Sequence, residues 1–102
     1  MTTQTQMVLA ALLADPAGTH YGLEISRAAN LPSGTLYPIL ARLEQAGWVE
    51  SEWEQIDPSA AGRRARRYYR LTGVGERVAR RELKTTVERL REAIGTAAEA
   101  PA

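Results

Sequence analysis

The stretch from Leu31 to Trp48 constrains the fold of this 102-residue chain more than any other segment. Its first residues are typical of the entrance to a helix: Pro32 precedes Ser33, whose hydroxyl can accept from the unpaired backbone N–H groups of a first turn. Apolar residues then recur at intervals of three and four, as on a helix with one buried face. They are Leu36, Ile39, Leu40 and Leu43. The pattern predicts a helix over residues 33–46.

The opposite face of this predicted helix carries little charge and little bulk. At about 100° per residue its centre is formed by Gly34, Pro38, Ala41 and Gln45. A face that is only solvated usually carries Lys and Glu, whereas a slim face with hydrogen-bonding groups suits the major groove of DNA. We interpret residues 33–46 as a recognition helix, with a merely solvated helix as the alternative. The candidate base or groove contacts are Ser33, Gly34, Thr35, Tyr37, Pro38 and Arg42.

Two features of this helix leave alternatives open. If the helix begins at Ser33, Pro38 removes one early backbone hydrogen bond and crowds the carbonyl of Gly34. If Thr35 caps the helix instead, Pro38 lies in the first turn at little cost. Tyr37 can contact a phosphate rather than a base, which would position the helix without reading sequence.

Two shorter helices are predicted ahead of the recognition helix. Residues 4–14 are apolar nearly all round from residue 7 onward, so one side can face the domain and another a partner subunit. Residues 21–29 form the second helix, capped by Thr19 or His20. Asn30 tolerates the left-handed conformation and starts a tight turn into Pro32. Two helices joined by so short a turn predict a helix-turn-helix unit.

A β-hairpin is predicted to follow the recognition helix. Gly47 ends that helix, residues 49–55 alternate between two faces, and residues 66–72 form the returning strand. Trp48 and Trp53 are expected to seal the base of the hairpin. The outward face of the first strand is acidic, with Glu50, Glu52 and Glu54. Because a winged helix is a helix-turn-helix followed by such a hairpin, the hairpin is the candidate wing.

The charge is unevenly distributed, although the net charge is only +1. Residues 44–57 contain five acidic and no basic residues, and residues 58–72 contain five arginines and no acidic residue. We expect the wing tip (56–67) to contact DNA phosphates or the minor groove, because a local basic segment attracts phosphate whatever the net charge. The alternative is a soluble loop that pairs with the glutamates, as Arg70 is expected to do. The candidate wing contacts are Arg63, Arg64, Arg66 and Arg67.

A last helix is predicted over residues 73–94, capped by Thr72. Val74 and Val78 lie on one face and are expected to pack on the winged helix. Two heptads are too few for an independent coiled coil, so the first helix is expected to share a dimer interface. Its candidates are Met7, Leu83, Val87, Leu90 and Ile94. The predicted fold is mainly α with a small β-hairpin: a winged helix-turn-helix domain (1–72), a dimerisation helix (73–94) and a disordered tail (95–102).

Composition excludes several classes of site. There is no Cys, which rules out disulfides and thiolate metal sites and is compatible with a reducing cytoplasm. No apolar run approaches the roughly 18–20 residues of a membrane span, and the start lacks a basic signal-peptide flank. His20 is the single histidine and is expected to cap a helix or pack in the core. No catalytic triad, phosphate-binding glycine loop or acid–base pair is present. We expect a cytoplasmic protein that is not an enzyme and holds no metal or cofactor.

Several motifs together resemble those of PadR-family transcriptional regulators. They are Tyr21-Gly-Leu-Glu-Ile25, Ser33-Gly-Thr-Leu-Tyr-Pro-Ile-Leu-Ala-Arg-Leu-Glu44, Gly47-Trp-Val49, Gly62-Arg63 and Tyr68-Tyr-Arg-Leu-Thr72. The resemblance runs from about Leu9 to Gly75, about two thirds of the chain. It implies a homodimeric winged helix that binds inverted-repeat operators in double-stranded DNA, usually as a repressor, and that dimerises through its C-terminal region.

The chain also departs from the pattern of that family. It carries one C-terminal helix, so it resembles the short class. Some short relatives bind flat aromatic compounds between subunits by stacking on a Trp of that helix, but here no aromatic residue follows Tyr69. Many relatives have a second Tyr where this chain has Leu23. The predicted function is a sequence-specific, homodimeric DNA-binding regulator. A winged-helix protein-interaction module, and a sensor with an unidentified small-molecule effector in the dimer cavity, are the alternatives.

Overall fold

The computed structural model describes residues 1–99, which form five helices around a three-stranded antiparallel sheet. In chain order the elements are α1 (Thr3–Leu13), β1 (His20–Tyr21), α2 (Gly22–Ala29), α3 (Ser33–Gln45), β2 (Val49–Trp53), α4 (Pro58–Ala61), β3 (Arg67–Leu71) and α5 (Gly73–Glu99). The strands lie in the order β1-β3-β2. Helices α1 to α3 form the helical part of a winged helix, and β2 and β3 form the wing. The predicted fold class is therefore confirmed.

The turn between α2 and α3 depends on Asn30, whose φ of 54° is left-handed as predicted. The chain then becomes extended at Pro32, the residue that precedes α3. The expectation that Ser33 caps this helix is wrong, because no side chain caps α3. Instead, the carbonyl of Pro32 accepts from the N–H groups of Thr35 and Leu36, each at 3.0 Å. Pro32 is therefore the cap position, and Ser33 is the first residue of the helix.

Pro38 and Gly47 shape the rest of α3. Because the helix begins at Ser33, Pro38 lies inside it, which decides between the two alternatives for this residue in favour of the first. The helix ends as predicted at Gly47, whose φ of 77° is left-handed. There the N–H of Trp48 returns to the carbonyl of Leu43 at 3.0 Å. The bond closes the helix and directs the chain into β2.

The apolar stripe of α3 packs into one core shared by the helices and the sheet. All four of its predicted members are buried, and α1, α2, both wing strands and α5 supply the remaining core side chains. The core comprises Val8, Leu9, Leu12, Ile25, Ala29, Leu36, Ile39, Leu40, Leu43, Val49, Tyr69, Leu71 and Ala79. Most of these side chains are aliphatic, so the orientation of α3 is fixed by the shape of the core.

Two short elements were not expected from the sequence. Strand β1 has only two residues, His20 and Tyr21, and pairs with Tyr69 and Tyr68 of β3. Tyr21 therefore belongs to the sheet, and the second helix begins one residue later than predicted. The wing loop contains the one-turn helix α4, where Asp57 accepts from the N–H of Ser59 at 3.0 Å. Both elements are too short to produce a periodic pattern.

Helix α5 is longer than predicted and packs through different residues. It continues from Ile94 to Glu99, so residues 95–99 of the predicted tail are helical. The alanines at 97 and 98 explain this, since Ala has the highest helix propensity. Residues 100–102 lie outside the described part of the chain. Of the two valines expected to pack on the winged helix, Val74 is 48% exposed and Val78 is half-buried, whereas Gly75 and Ala79 are buried.

No helix within residues 1–99 is both long and apolar enough to cross a membrane. The described residues also contain no group of three or more His, Asp or Glu side chains placed to hold a metal ion. His20 is buried, and its ring nitrogens lie 2.8 Å from Glu24 Oε2 and 2.9 Å from the carbonyl oxygen of Asp15. These contacts tie the start of the sheet to α2 and to the turn after α1.

Candidate nucleic-acid interface

The outer face of α3 presents the predicted groove contacts together. Gly34 and Pro38 lie at its centre, and the candidate residues are exposed apart from Thr35, which is half-buried. The buried stripe on the other side fixes the rotation of the helix, because each of its members packs in the core. The result is an exposed helix face of small and hydrogen-bonding groups, held on a rigid support.

Tyr37 and Arg42 lie on opposite flanks of that face. Tyr37 is 47% exposed and is on the flank next to the wing, where its hydroxyl packs against Gly22 at the start of α2. A Cβ at position 22 would overlap this hydroxyl, so Gly22 is a residue of the site that the sequence did not single out. Arg42 is on the other flank, beside a cleft that Trp48 and Glu82 also line. The two side chains are therefore placed to meet different parts of a ligand.

The wing is organised around a buried carboxylate, Glu54, which is only 9% exposed. Arg63 donates to both of its oxygens, at 2.6 and 3.0 Å, and the N–H of Arg66 donates at 2.8 Å. The hydroxyls of Tyr21 and Tyr68 each donate to the carboxylate at 3.3 Å. Chiefly because of the Arg63 hydrogen bonds, the pKa of Glu54 is lowered from 4.5 to about 2, although burial opposes this shift. This network closes the wing loop onto the sheet.

The sequence predicted the opposite burial for Trp53, the last residue of β2, and for Glu54, which follows it. Glu54 was expected to face solvent, and Trp53 was expected to seal the base of the wing. The structure shows a buried Glu54 and a Trp53 that is 57% exposed. The reason is that Trp53 pairs with Arg67, two pairs beyond Tyr69, the last residue of β3 in this direction that reaches the core. Alternation along a strand predicts which face a residue is on, but it does not predict where the core ends.

The four candidate wing arginines fall into two groups. Arg63 and Arg67 have acidic partners: Arg63 binds Glu54, and Arg67 Nη2 lies 3.6 Å from Glu44 Oε2. The side chains of Arg64 and Arg66 are exposed and have no acidic partner within 4.0 Å among residues 1–99. The wing therefore offers two unpaired cations and two that are already held within the protein.

Arg70 pairs across the hairpin as predicted. Its guanidinium donates to Glu50 at 3.1 Å and to Glu52 at 3.0 Å. These two glutamates raise the pKa of Arg70 above its ordinary value. Arg70 thus offsets one of the two negative charges on this face of the wing sheet. The unpaired positive charge remains at the tip, in Arg64 and Arg66.

Protonation of Glu54 provides a test of the network. A carboxyl group whose folded-state pKa is depressed stabilises the fold above its unfolded-state pKa, and this contribution is lost as the pH falls through the folded-state value. We therefore expect the free energy of unfolding to fall between about pH 4.5 and pH 2. Urea denaturation across this range should show a shallower dependence for Glu54→Gln, which has no such charge to lose. Equal pH dependence in the two proteins would contradict the role of Glu54.

The sequence model of the transcriptional regulator PadR-like family matches residues 9–81. The matched residues run from within α1 through α2, α3 and the wing into the first part of α5. This chain belongs to the PadR-like family. The resemblance inferred from the motifs is thereby confirmed. No match was found among curated protein sequences.

Solved structures similar to this PadR-like chain include regulators of the same family. A PadR family transcriptional regulator from Eggerthella lenta DSM 2243 is 29% identical with a TM-score of 0.69, covering 94% of this chain and 84% of that one. The protein smu.1704 from Streptococcus mutans UA159 is 24% identical with a TM-score of 0.77, covering 98% and 93%. The PcaV transcriptional regulator from Streptomyces coelicolor, solved in complex with its natural ligand, is 25% identical with a TM-score of 0.75, covering 100% and 64%. The first two similarities extend over most of both chains.

The residues predicted to form a dimer interface in this PadR-like chain lie along the outside of α1 and α5. Met7, Val87, Leu90 and Ile94 are exposed, and Leu83 is half-buried. The four on α5 follow one another at intervals of four, three and four, which places them on one side of the helix. The α5 residues therefore form an apolar stripe that is half-buried at Leu83 and exposed at Val87, Leu90 and Ile94.

Proposed function

We propose that this chain is a sequence-specific transcriptional repressor that binds an inverted-repeat operator as a homodimer. The observation that carries the proposal is the exposed, nearly uncharged face of α3 next to a wing tip with two unpaired arginines. A slim polar helix face suits the major groove, and arginines suit phosphates or the narrow minor groove. Membership of a family of transcriptional regulators supports the same conclusion.

We assign different tasks to the candidate residues. Ser33, Gly34, Thr35, Tyr37, Pro38 and Arg42 form the groove-facing set, in which the small residues allow the helix backbone to approach the bases. Arg64 and Arg66 contact phosphate or the minor groove. Arg63 holds Glu54 and so keeps the wing in position for its neighbours.

The homodimer is proposed from the apolar stripe on α5 together with Met7 of α1. Large apolar side chains left in water on one side of a helix lower the solubility of a monomer, and a second copy of the stripe can cover them. To enter successive major grooves on one side of the duplex, the two recognition helices of the dimer would lie about 34 Å apart, which is one turn of B-DNA. An inverted repeat is the DNA sequence that matches the twofold symmetry of such a dimer.

Selection of bound sequences from a random pool of duplex DNA tests the whole proposal. We expect an enriched motif with twofold symmetry, whose half-sites are separated by about one helical turn. Enrichment of an unsymmetric motif would contradict the homodimeric mode of binding. Absence of any enrichment would contradict sequence-specific recognition and favour a protein-interaction module.

Arg42→Ala is expected to reduce discrimination between sequences more than it reduces general DNA affinity. An arginine at a guanine edge contributes about 1–3 kcal/mol of discrimination, whereas a phosphate contact affects all sequences alike. Fluorescence anisotropy with the selected duplex and with a scrambled duplex would measure both affinities. Arg89→Ala removes one exposed charge from the distal part of α5 and is the matched control. Equal losses on both duplexes would make Arg42 a positioning residue.

A further inference from the structure

A groove of about 510 Å³ lies between the recognition helix and the wing. Tyr37 lines it from α3, and Trp53 and Arg67 line it from the two wing strands. Gly22 and Tyr69 are among the residues that complete its lining. The groove therefore has an aromatic side chain on each side, Tyr37 on the helix side and Trp53 on the wing side, and the Arg67 guanidinium lies on the wing side. The contact of Arg67 Nη2 with Glu44 accounts for part of the position of the guanidinium, but no interaction described above accounts for the exposed indole.

The presence of a tryptophan at this exposed position, Trp53, is the feature of the groove that the fold does not explain. More than half of its surface is exposed, whereas tryptophan is usually well buried because its large apolar surface is costly to hydrate. Its position on the inward face of β2 directs it toward the recognition-helix side of the wing, since it shares that face with Val49 and Ser51. An exposed aromatic side chain beside a basic one is a combination typical of nucleic-acid-binding surfaces.

Arg67 is held in place beside this indole. Its Nε and Nη2 atoms donate to Ser51 Oγ at 3.0 and 2.7 Å, and its guanidinium carbon lies 5.5 Å from the centre of the Trp53 ring. Its Nη1 atom has no acceptor among residues 1–99. A guanidinium fixed in this way loses little side-chain entropy when it binds an anion. It therefore presents unused donors in a defined direction.

We propose that this groove binds one segment of the DNA backbone, with the Trp53 indole against a deoxyribose and Arg67 Nη1 donating to the adjacent phosphate. The inference rests on the proposed function and adds Trp53 to the residues that contact DNA. A recognition helix in the major groove and a wing in the adjacent minor groove are separated by one sugar–phosphate strand. Along that strand each apolar sugar is next to an anionic phosphate. In the groove the Trp53 indole is likewise next to the Arg67 guanidinium, so one sugar and its phosphate match the pair.

Contacts with the backbone do not read sequence, so Trp53 should affect all duplexes alike. We expect Trp53→Ala to lower affinity about fivefold or more for both a selected and a scrambled duplex, since the substitution removes the apolar area that the indole would bury against the sugar. Trp53→Phe keeps an aromatic ring and should retain most of the affinity. Because Trp53 is exposed, neither change should alter the thermal stability of the protein appreciably.

The direct test is the accessibility of Trp53 when DNA is bound. The chain has two tryptophans, so Trp48→Phe leaves Trp53 as the single fluorophore. Acrylamide quenching would be measured with and without a short mixed-sequence duplex at low salt, while anisotropy of the labelled duplex reports binding independently. We expect the Stern–Volmer constant of Trp53 to fall about threefold or more at saturation, as for a ring covered by a nucleotide. If Trp48→Phe does not fold, the difference between the wild type and Trp53→Phe gives the same quantity.

Three results would overturn the inference in different ways. If anisotropy shows that the duplex is bound but the acrylamide quenching of Trp53 is unchanged, the groove is empty in the complex. The inference would then be wrong, while the proposed function would stand. No binding of any duplex would overturn both. A third arm contains inorganic phosphate alone, which should leave the quenching unchanged. Equal protection by phosphate would show a general anion site and would contradict a site for the DNA backbone.

Discussion

Gly75→Ala is expected to lower the free energy of unfolding by more than about 3 kcal/mol, the range of severe core overpacking. A Cβ at this position would overlap the carbonyl oxygen of Trp48 and lie 2.7 Å from the carbonyl carbon and 2.9 Å from Cα of that residue. These are backbone atoms at the junction of α3 and β2, so they cannot rotate away as the end of a side chain can. Either α5 or the start of the wing must shift.

The same junction is fixed by hydrogen bonds, which makes a local adjustment costly. The N–H of Thr72 donates to the carbonyl of Trp48 at 3.0 Å, and its hydroxyl donates to the carbonyl of Gly47 at 2.7 Å. That hydroxyl also accepts from the N–H of Gly75 at 3.0 Å, so it caps α5 as the sequence predicted. A displacement of α5 would break this set of bonds together.

Gly95→Ala is the matched control, because it makes the same change in the same helix. A Cβ at Gly95 would have no atom within 4 Å, and the substitution should raise stability by about 0.5–1 kcal/mol through helix propensity alone. Urea denaturation followed by far-ultraviolet circular dichroism would measure both variants. Similar free-energy changes for the two would show that the close approach of α5 to Trp48 contributes nothing to stability.

The double substitution of Arg64 and Arg66 by Ala is expected to lower DNA affinity about tenfold or more at low salt, on every sequence. The slope of log affinity against log salt concentration should decrease by about 2, because each arginine–phosphate contact releases roughly 0.9 counterion. The free energy of unfolding should fall by no more than about 1 kcal/mol, because neither side chain forms an ion pair within residues 1–99 and the guanidinium of Arg66 makes only an exposed cation–π contact, 5.3 Å from the centre of the Tyr21 ring. Titrations at several salt concentrations would measure both quantities.

Two controls separate this effect from others. Arg89→Ala with Arg91→Ala removes the same charge from the distal part of α5 and should leave the salt slope nearly unchanged. Arg63→Ala should instead lower stability, because it leaves the buried Glu54 carboxylate without its main partner. If the double wing variant binds DNA as the wild type does, the tip has no part in binding.

Local signals in the sequence were sufficient for much of the fold. The apolar spacing of α3, the left-handed Asn30 and the terminal Gly47 each depend on a few neighbouring residues, and the structure agrees with all three. Strand β1 could not be predicted, because two residues carry no period and it exists only through pairing with β3. The packing of α5 through Gly75 instead of Val74 also depends on a distant backbone.

The residue types of the candidate site were predicted from the sequence, but the residues that pair with them inside the protein were not. A cluster of arginines is visible in the sequence, but the sequence does not show that Arg63 is held by a carboxylate nine positions earlier. Burial of Glu54 requires two tyrosines, one of them on β1, which is 33 residues away in the chain. Exposure of Trp53 likewise depends on where the core ends under the sheet. These are tertiary properties, and they determine which charges remain available to a ligand.

The contact of Gly75 with Trp48 also gives α5 a mechanical property. A helix of 27 residues is about 40 Å long, and here its base cannot slide on the winged helix without moving the start of the wing. It therefore acts as a stiff lever. In the proposed homodimer, a change of about 5° in the angle between two such levers would displace their far ends by about 3.5 Å, close to the rise of one base pair. The angle between the two α5 helices would then determine the distance between operator half-sites that the dimer can bind.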